Sequence, residues 1–184
     1  MKKPKILILI AVIVVLVAGI ITGIVLHNNK KNSGNKNITP EVKEAQIETL
    51  RVLYSEYKPV IYRDGDNFAG FDAELIEYVC GKMGISFEFK QAGFDEMQQL
   101  LDNDEADCIW TGFVSTKDNR EKFDFSQPYV TMDMDYGIVE NWVVAVKKDR
   151  DDNLLKKLEE ALKEAEKDGT IKKLAEKYEL KIAQ

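Results

Sequence analysis

The sequence predicts an α/β domain, a mostly parallel sheet flanked by helices, attached to an N-terminal transmembrane helix. Two observations predict this arrangement. Residues Ile6 to Leu26 form an unbroken uncharged, mostly apolar run, long enough at 1.5 Å rise per residue to span a bilayer as a helix. From Leu50 onward, segments with strand character alternate with segments of helical periodicity, the pattern of parallel strands joined by crossover helices.

The apolar run follows Lys2, Lys3 and Lys5 and precedes Lys30 and Lys31. A cleaved signal peptide is the alternative, but the run exceeds the usual signal core and no small-x-small cleavage site stands after it. Leu16-Val17-Ala18-Gly19 has the form of a lipoprotein signal, yet Ile20 stands where the lipid-bearing Cys belongs. The expectation is therefore a single-pass anchor over residues 1–27, with the remainder facing the extracytoplasmic side. Residues 28–48 read as a linker. Asn28 to Asn37 is too polar to pack, and Thr39-Pro40-Glu41 opens a short stalk helix running to Glu48. The α/β lobe occupies residues 49–184.

Charge excludes some partners. Five of the 26 Lys and Arg precede Asn32 and none of the 32 Asp and Glu does, which leaves 21 against 32 and a net charge of −11. A nucleic-acid partner needs a basic footprint, so nucleic acid is excluded. His27, the only histidine, sits beside the anchor. No metal centre, cofactor or catalytic histidine is expected. Cys80 and Cys108 read as small buried apolar residues rather than a disulfide framework.

Within the lobe, Leu50 to Tyr54 is a strand, and Asp64-Gly65-Asp66-Asn67 is a hairpin turn inside Ile61 to Phe68. Asp72 to Met83 is a helix because Leu75, Ile76, Val79 and Met83 share one face, and Gly84 ends it. A strand over Ile85 to Phe89, a helix over Asp95 to Leu101, a strand over Ala106 to Trp110 and a short helix over Lys117 to Lys122 follow. Val143 to Val146 is the closing strand. Asn153 to Lys167 is an amphipathic helix with a solvated Lys/Glu face, and Asp168-Gly169-Thr170 separates it from a last helix over Ile171 to Tyr178. Trp110 and Trp142 are expected in the core.

Ligands of open parallel sheets bind beyond the carboxyl ends of the strands. Three segments leave strands at that edge: Ser55 to Pro59, Ala92 to Phe94, and Thr111 to Thr116. Tyr57 and Phe94 are placed either to clamp the apolar part of a small solute or simply to cover the sheet edge, and Gly112 lets a ligand approach the backbone. The N-terminal amides of the short helix after Thr116 are candidates to hold a carboxylate.

Four motifs in order carry a resemblance. They are Gly70-Phe71-Asp72-Ala73-Glu74-Leu75, Ala106-Asp107-Cys108-Ile109-Trp110-Thr111-Gly112, Phe123-Asp124-Phe125-Ser126-Gln127-Pro128-Tyr129, and Val144 to Lys148 continued through Asp168-Gly169-Thr170 to Glu176-Lys177-Tyr178. Together the segment from Leu50 to Leu180 resembles family 3 of the bacterial solute-binding proteins, the amino-acid receptors of ABC importers, with a periplasmic-binding-protein-like fold. The resemblance implies a receptor for a small polar solute, an amino acid, delivering to an ABC permease. It also implies ligand contacts at Tyr57, Phe94, Thr111, Gly112 and Thr116. The family's carboxylate-gripping Arg falls on Asn119, and Arg120, one residue late, is the candidate to take its place at the ligand; a hydroxyl position falls on Val114. Family members also build a second lobe after the Phe123–Tyr129 motif, where here only 13 residues separate Tyr129 from Val143, far too few for a domain. One lobe of the usual two is therefore expected, with a cleft wall facing water. Self-association through that wall, as a sensor or interaction domain, is the alternative to a receptor. Some lytic transglycosylases and dehydratases share the fold, but no paired carboxylates or nucleophile with a base stand out, so an enzyme is not expected.

Overall fold

The structure, a computed structural model, describes residues 47–134 and 136–183. The predicted anchor, linker and most of the stalk lie outside them. Ile47 and Glu48 are described and are not helical, so no helix reaches Glu48. Among the described residues no helix is long and apolar enough to cross a membrane.

Strand β1 (Thr49–Tyr54) lies between two parallel partners, β4 (Ser86–Gln91) and β5 (Cys108–Val114). Between β1 and β4 run a two-residue hairpin of β2 (Tyr62–Asp64) and β3 (Asn67–Ala69) and helix α1 (Phe71–Met83). Helix α2 (Phe94–Asp102) connects β4 to β5. After β5 come a single 3-10 turn at Asn119–Glu121, β6 (Phe123–Phe125), β7 (Val130–Asp133) and β8 (Val139–Lys147). Helices α3 (Leu154–Lys167) and α4 (Thr170–Lys177) follow.

The sheet order is β4-β1-β5-β8-β6, with β7 also on β8. β8 runs antiparallel to β5, β6 and β7, so the sheet is mixed rather than mostly parallel. The reason is the return path. β6 and β7 climb back along the sheet, and the turn after Asp133 sends β8 down between them and β5. The short connection is thus a β-hairpin, in register from Val130↔Trp142 to Asp133↔Val139, and no second lobe intervenes. Val143 onward completes the sheet begun at Thr49. The tail adds to it: Asp133 N–H donates to Lys181 O at 2.8 Å and Ala183 N–H to Thr131 O at 2.9 Å, covering the edge of β7.

Side chains alternate across the sheet as a period of two requires. Leu50, Val52, Cys108, Trp110, Val144 and Val146 face α1, α3 and α4. Leu53, Ile109, Phe113, Val143 and Ala145 face α2. Both faces are covered, which is why β1, β5 and β8 read as continuous apolar runs. Cys80 and Cys108 are buried free thiols, and Trp110 and Trp142 are buried. On α3 the buried residues are Leu154, Leu158, Ala161, Leu162 and Ala165, leaving the Lys/Glu face to solvent.

The motif residues meet each other. Gly70 opens α1 with φ 118°, and a Cβ there would lie 2.4 Å from Val60 O, so only glycine lets the two backbones approach. Its N–H donates to Tyr178 Oη at 3.1 Å. The Tyr178 hydroxyl and the Lys177 ammonium, the latter at 2.6 Å, both reach Glu74 Oε1. The first motif and the last are therefore two halves of one clasp between α1 and α4.

Candidate functional site

Three chain segments leave the carboxyl edge of the parallel strands, and the structure divides the predicted residues among separate places. One cleft of about 520 Å³ gathers Phe94, Gly112 and Thr116, together with Asp95, Gln98, Asn119 and Glu140. Its volume is that of a small-molecule site. Phe94 is 63% exposed and stacks on Phe113, ring centroids 6.0 Å apart, so one aromatic face remains open to solvent. Tyr57 is also half exposed but lines a smaller neighbouring cleft with Met132, Met134 and Trp142. Arg120 is exposed and lines a third cleft with Asp124, Gln127 and Asn141. Thr111 is buried, its hydroxyl donating to Ser55 O at 3.0 Å, so it holds β5 to the end of β1.

Gly112 is where β5 bends. Its φ is +60°, and its N–H donates to Asp72 Oδ2 at 2.7 Å. Asp72 is fully buried and accepts a second hydrogen bond, at 2.8 Å, from the Tyr129 hydroxyl. The motif acid of α1 thus pins the cleft loop of β5 to the strand exit at Tyr129. Burial pushes Asp72 up to about 7, against the pull of the Tyr129 hydroxyl and the Gly112 N–H, which favour the carboxylate. A Cβ at Gly112 would meet the Trp142 ring at 3.3 Å. Gly112→Ala is expected to lower stability by about 1–2 kcal/mol through left-handed backbone strain and ring displacement, read as a fall in Tm by thermal unfolding.

The predicted helix N-terminus is not present. Residues 119–121 form one 3-10 turn, too short to sum a dipole. The Asn119 N–H donates to Thr116 Oγ1 at 3.3 Å, and the Asn119 side-chain amide donates to Val114 O at 3.3 Å. The Arg120 N–H likewise donates to Thr116 O at 3.2 Å, so the loop's own acceptors take two of the amides expected to hold an anion.

Sequence reasoning missed two cleft residues. Asp95 follows Phe94 directly, and that adjacency was visible. Glu140 lies in β8, which begins four residues before the predicted closing strand. Extending that strand back with a period of two from Trp142 would have found it. Glu140 Oε2 accepts from Trp142 Nε1 at 3.3 Å, which fixes the carboxylate toward the cleft. Among the described residues no group of three or more His, Cys, Asp or Glu is arranged to hold a metal ion.

A one-lobed α/β sheet with an aromatic-lined cleft at its strand carboxyl ends is the architecture of half a solute-binding protein. Residues 50–181 match the bacterial extracellular solute-binding proteins, family 3, and the chain belongs to that family. It is 27% identical over 146 residues to the arginine-binding extracellular protein ArtP of Bacillus subtilis, covering 79% of this chain and 51% of the relative. It is 27% identical over 128 residues to the L-cystine-binding protein TcyA of the same organism, covering 68% and 44%. The chain thus spans about half the length of the curated relatives it matches. Among solved structures it resembles an ancestral cationic amino acid solute binding protein with a TM-score of 0.63 at 20% identity, covering 71% of this chain and 95% of that one. It also resembles a mutant of the arginine-bound form of domain 1 from TmArgBP, with a TM-score of 0.58 at 25% identity, covering 65% and 93%.

Proposed function

We propose that this chain binds a small polar solute, an amino acid, outside the cell, anchored by Ile6 to Leu26, and serves as the receptor component of an ABC importer. The observation that carries the reading is the cleft at the carboxyl edge of the sheet in a family 3 chain, lined by the exposed ring of Phe94 with Gly112 and Thr116. Curated relatives named for arginine and cystine binding support the amino-acid class. The similar structure of a single domain 1 with arginine bound supports binding by one lobe. Hinge closure needs two lobes, so the bound solute stays partly exposed and the affinity is modest.

Isothermal titration of the full chain in detergent micelles against the twenty amino acids tests this. Heat from one class of amino acid is the expected result, and silence from all twenty overturns the reading. Phe94→Ala is expected to weaken that binding by about tenfold, the worth of one aromatic or cation–π contact. An unchanged dissociation constant would remove Phe94 from the site.

One observation favours a second reading. Tyr136 is fully exposed, and Ile138 and Val139 are more than half exposed, in the hairpin turn that stands where the family places its second lobe. Three neighbouring apolar residues at one turn favour association between copies. Sedimentation equilibrium distinguishes the readings: a stable dimer with no heat from any solute supports an interaction domain.

A further inference from the structure

The cleft carries its charge the wrong way round for gripping a carboxylate. Several of the donors nominated for that task are occupied or elsewhere. The Gly112 N–H donates to Asp72, and the Asn119 N–H and side-chain amide donate to Thr116 Oγ1 and Val114 O. Arg120 lines a different cleft, beside Asp124. Among the side-chain donors of the cleft loop, the Thr116 hydroxyl keeps its proton free while accepting from Asn119. Acceptors, in contrast, are plentiful. Asp95 adjoins Phe94 and lines the cleft, and its side chain is in no hydrogen bond or ion pair with another described residue. Glu140 has one partner, Trp142 Nε1, which holds one oxygen and leaves the other to the cleft. Glu140 and Thr116 both line the cleft, each two residues beyond the last ladder pair, Val114↔Trp142. Lys122 lines the same cleft, and no ion pair joins its ammonium to Glu140 or Asp95. Phe123 pairs with Lys147, which stands seven residues along β8 from Glu140, on the order of 20 Å at strand rise.

We infer that Glu140, with Asp95, reads the ammonium or guanidinium of the solute, and that the solute's carboxylate contributes little to binding. This inference rests on the receptor reading and narrows it to cationic solutes. Glu140 comes from the hairpin that stands in place of a second lobe, so a single lobe supplies the acid facing a ligand amine. The open face of Phe94 adds a surface on which a planar cation stacks. A charged pair formed in a half-open cleft is screened by water and salt, so binding should weaken as ionic strength rises.

The test is titration of the full chain in micelles with L-arginine and with agmatine, which is arginine without its carboxylate, alongside L-glutamate. Agmatine is expected to bind within about threefold of arginine, and glutamate not to bind. Glu140→Gln, which keeps shape and the Trp142 contact, is expected to weaken both cations at least tenfold while leaving thermal unfolding unchanged. Arginine binding with agmatine tenfold or more weaker overturns this inference and leaves the receptor reading intact. Equal binding of both by wild type and Glu140→Gln removes Glu140 from the role. Absence of heat from every amino acid and from agmatine overturns both the inference and the receptor reading together.

Discussion

Asp72→Ala is expected to lower the stability of the lobe by about 3–5 kcal/mol, measured by chemical denaturation at pH 7. The substitution removes both acceptors of a buried pair of hydrogen bonds. Tyr129 Oη and the Gly112 N–H, at 2.8 and 2.7 Å from the carboxylate, would be left without partners. Each stranded buried donor costs about 1–3 kcal/mol, and the cavity adds to that. Asp72→Asn separates the charge from the contacts. Its amide oxygen accepts from Gly112 and its amide N–H donates to Tyr129 Oη, so the network survives without ionisation. The pH dependence has a defined sign. The folded carboxyl titrates at about 7 and the unfolded one at 3.8. Between those values the folded chain keeps a proton that the unfolded chain has lost, so stability falls as pH rises. The contribution is complete below pH 3.8 and has gone above about 7. The stability of wild type relative to Asp72→Asn should therefore decline from pH 4 to 7 and then level. A difference that stays flat across that window would show Asp72 ionised throughout.

This network also marks how far the sequence could be read. The motif acids Asp72, Glu74 and Asp107 stood out by type and spacing, but their partners come from 40 to 104 residues away. No local pattern encodes those distances. Helices α1, α3 and α4 were legible because one apolar stripe and one breaker, Gly84 or Asp168-Gly169, define each, whereas α2 has no such breaker and ends at Asn103. Strands β6 and β7 were not, since three or four residues among Asp, Ser and Pro give no period to detect. The antiparallel entry of β8 depends on the path of the chain after Phe125, and that path is set by pairing with β8 itself. At the site, Phe94, Gly112 and Thr116 were named and do share a cleft. Tyr57 and Arg120 were named from the same edge but lie in other clefts. A residue's position along the chain specifies the edge, whereas the side of the sheet depends on the loop's twist. Glu140 escaped notice because it belongs to the hairpin, for which the family offers no counterpart.

Asp107→Ala is the second substitution with a large expected effect, about 2–4 kcal/mol. Asp107 is buried at the start of β5 and receives Arg51 through three contacts, from the backbone N–H, Nε and Nη2, each at 2.9 Å. Arg150 Nη2 approaches at 3.5 Å and is itself paired to Asp152 at 2.6 Å. The carboxylate therefore joins β1, β5 and the segment before α3. Burial alone would raise Asp107, but Arg51 outweighs it and holds the group below the usual carboxylate range. Removing one partner of a buried ion pair costs about 3–5 kcal/mol. Arg51 is 36% exposed, so water rescues part of that and the smaller figure applies. The sign is opposite to that of Asp72. A depressed folded pKa stabilises the protein above pH 3.8, and the stabilisation is lost as pH falls below it. Wild type and Asp107→Asn should differ most at neutral pH and converge in acid, whereas wild type and Asp72→Asn diverge as pH rises from 4 to 7. Measuring both variants across pH 2 to 8 distinguishes a carboxylate held charged by its partners from one kept neutral by its surroundings. Convergence of both pairs in the same pH window would contradict the assignment of charge to Asp107 and proton to Asp72.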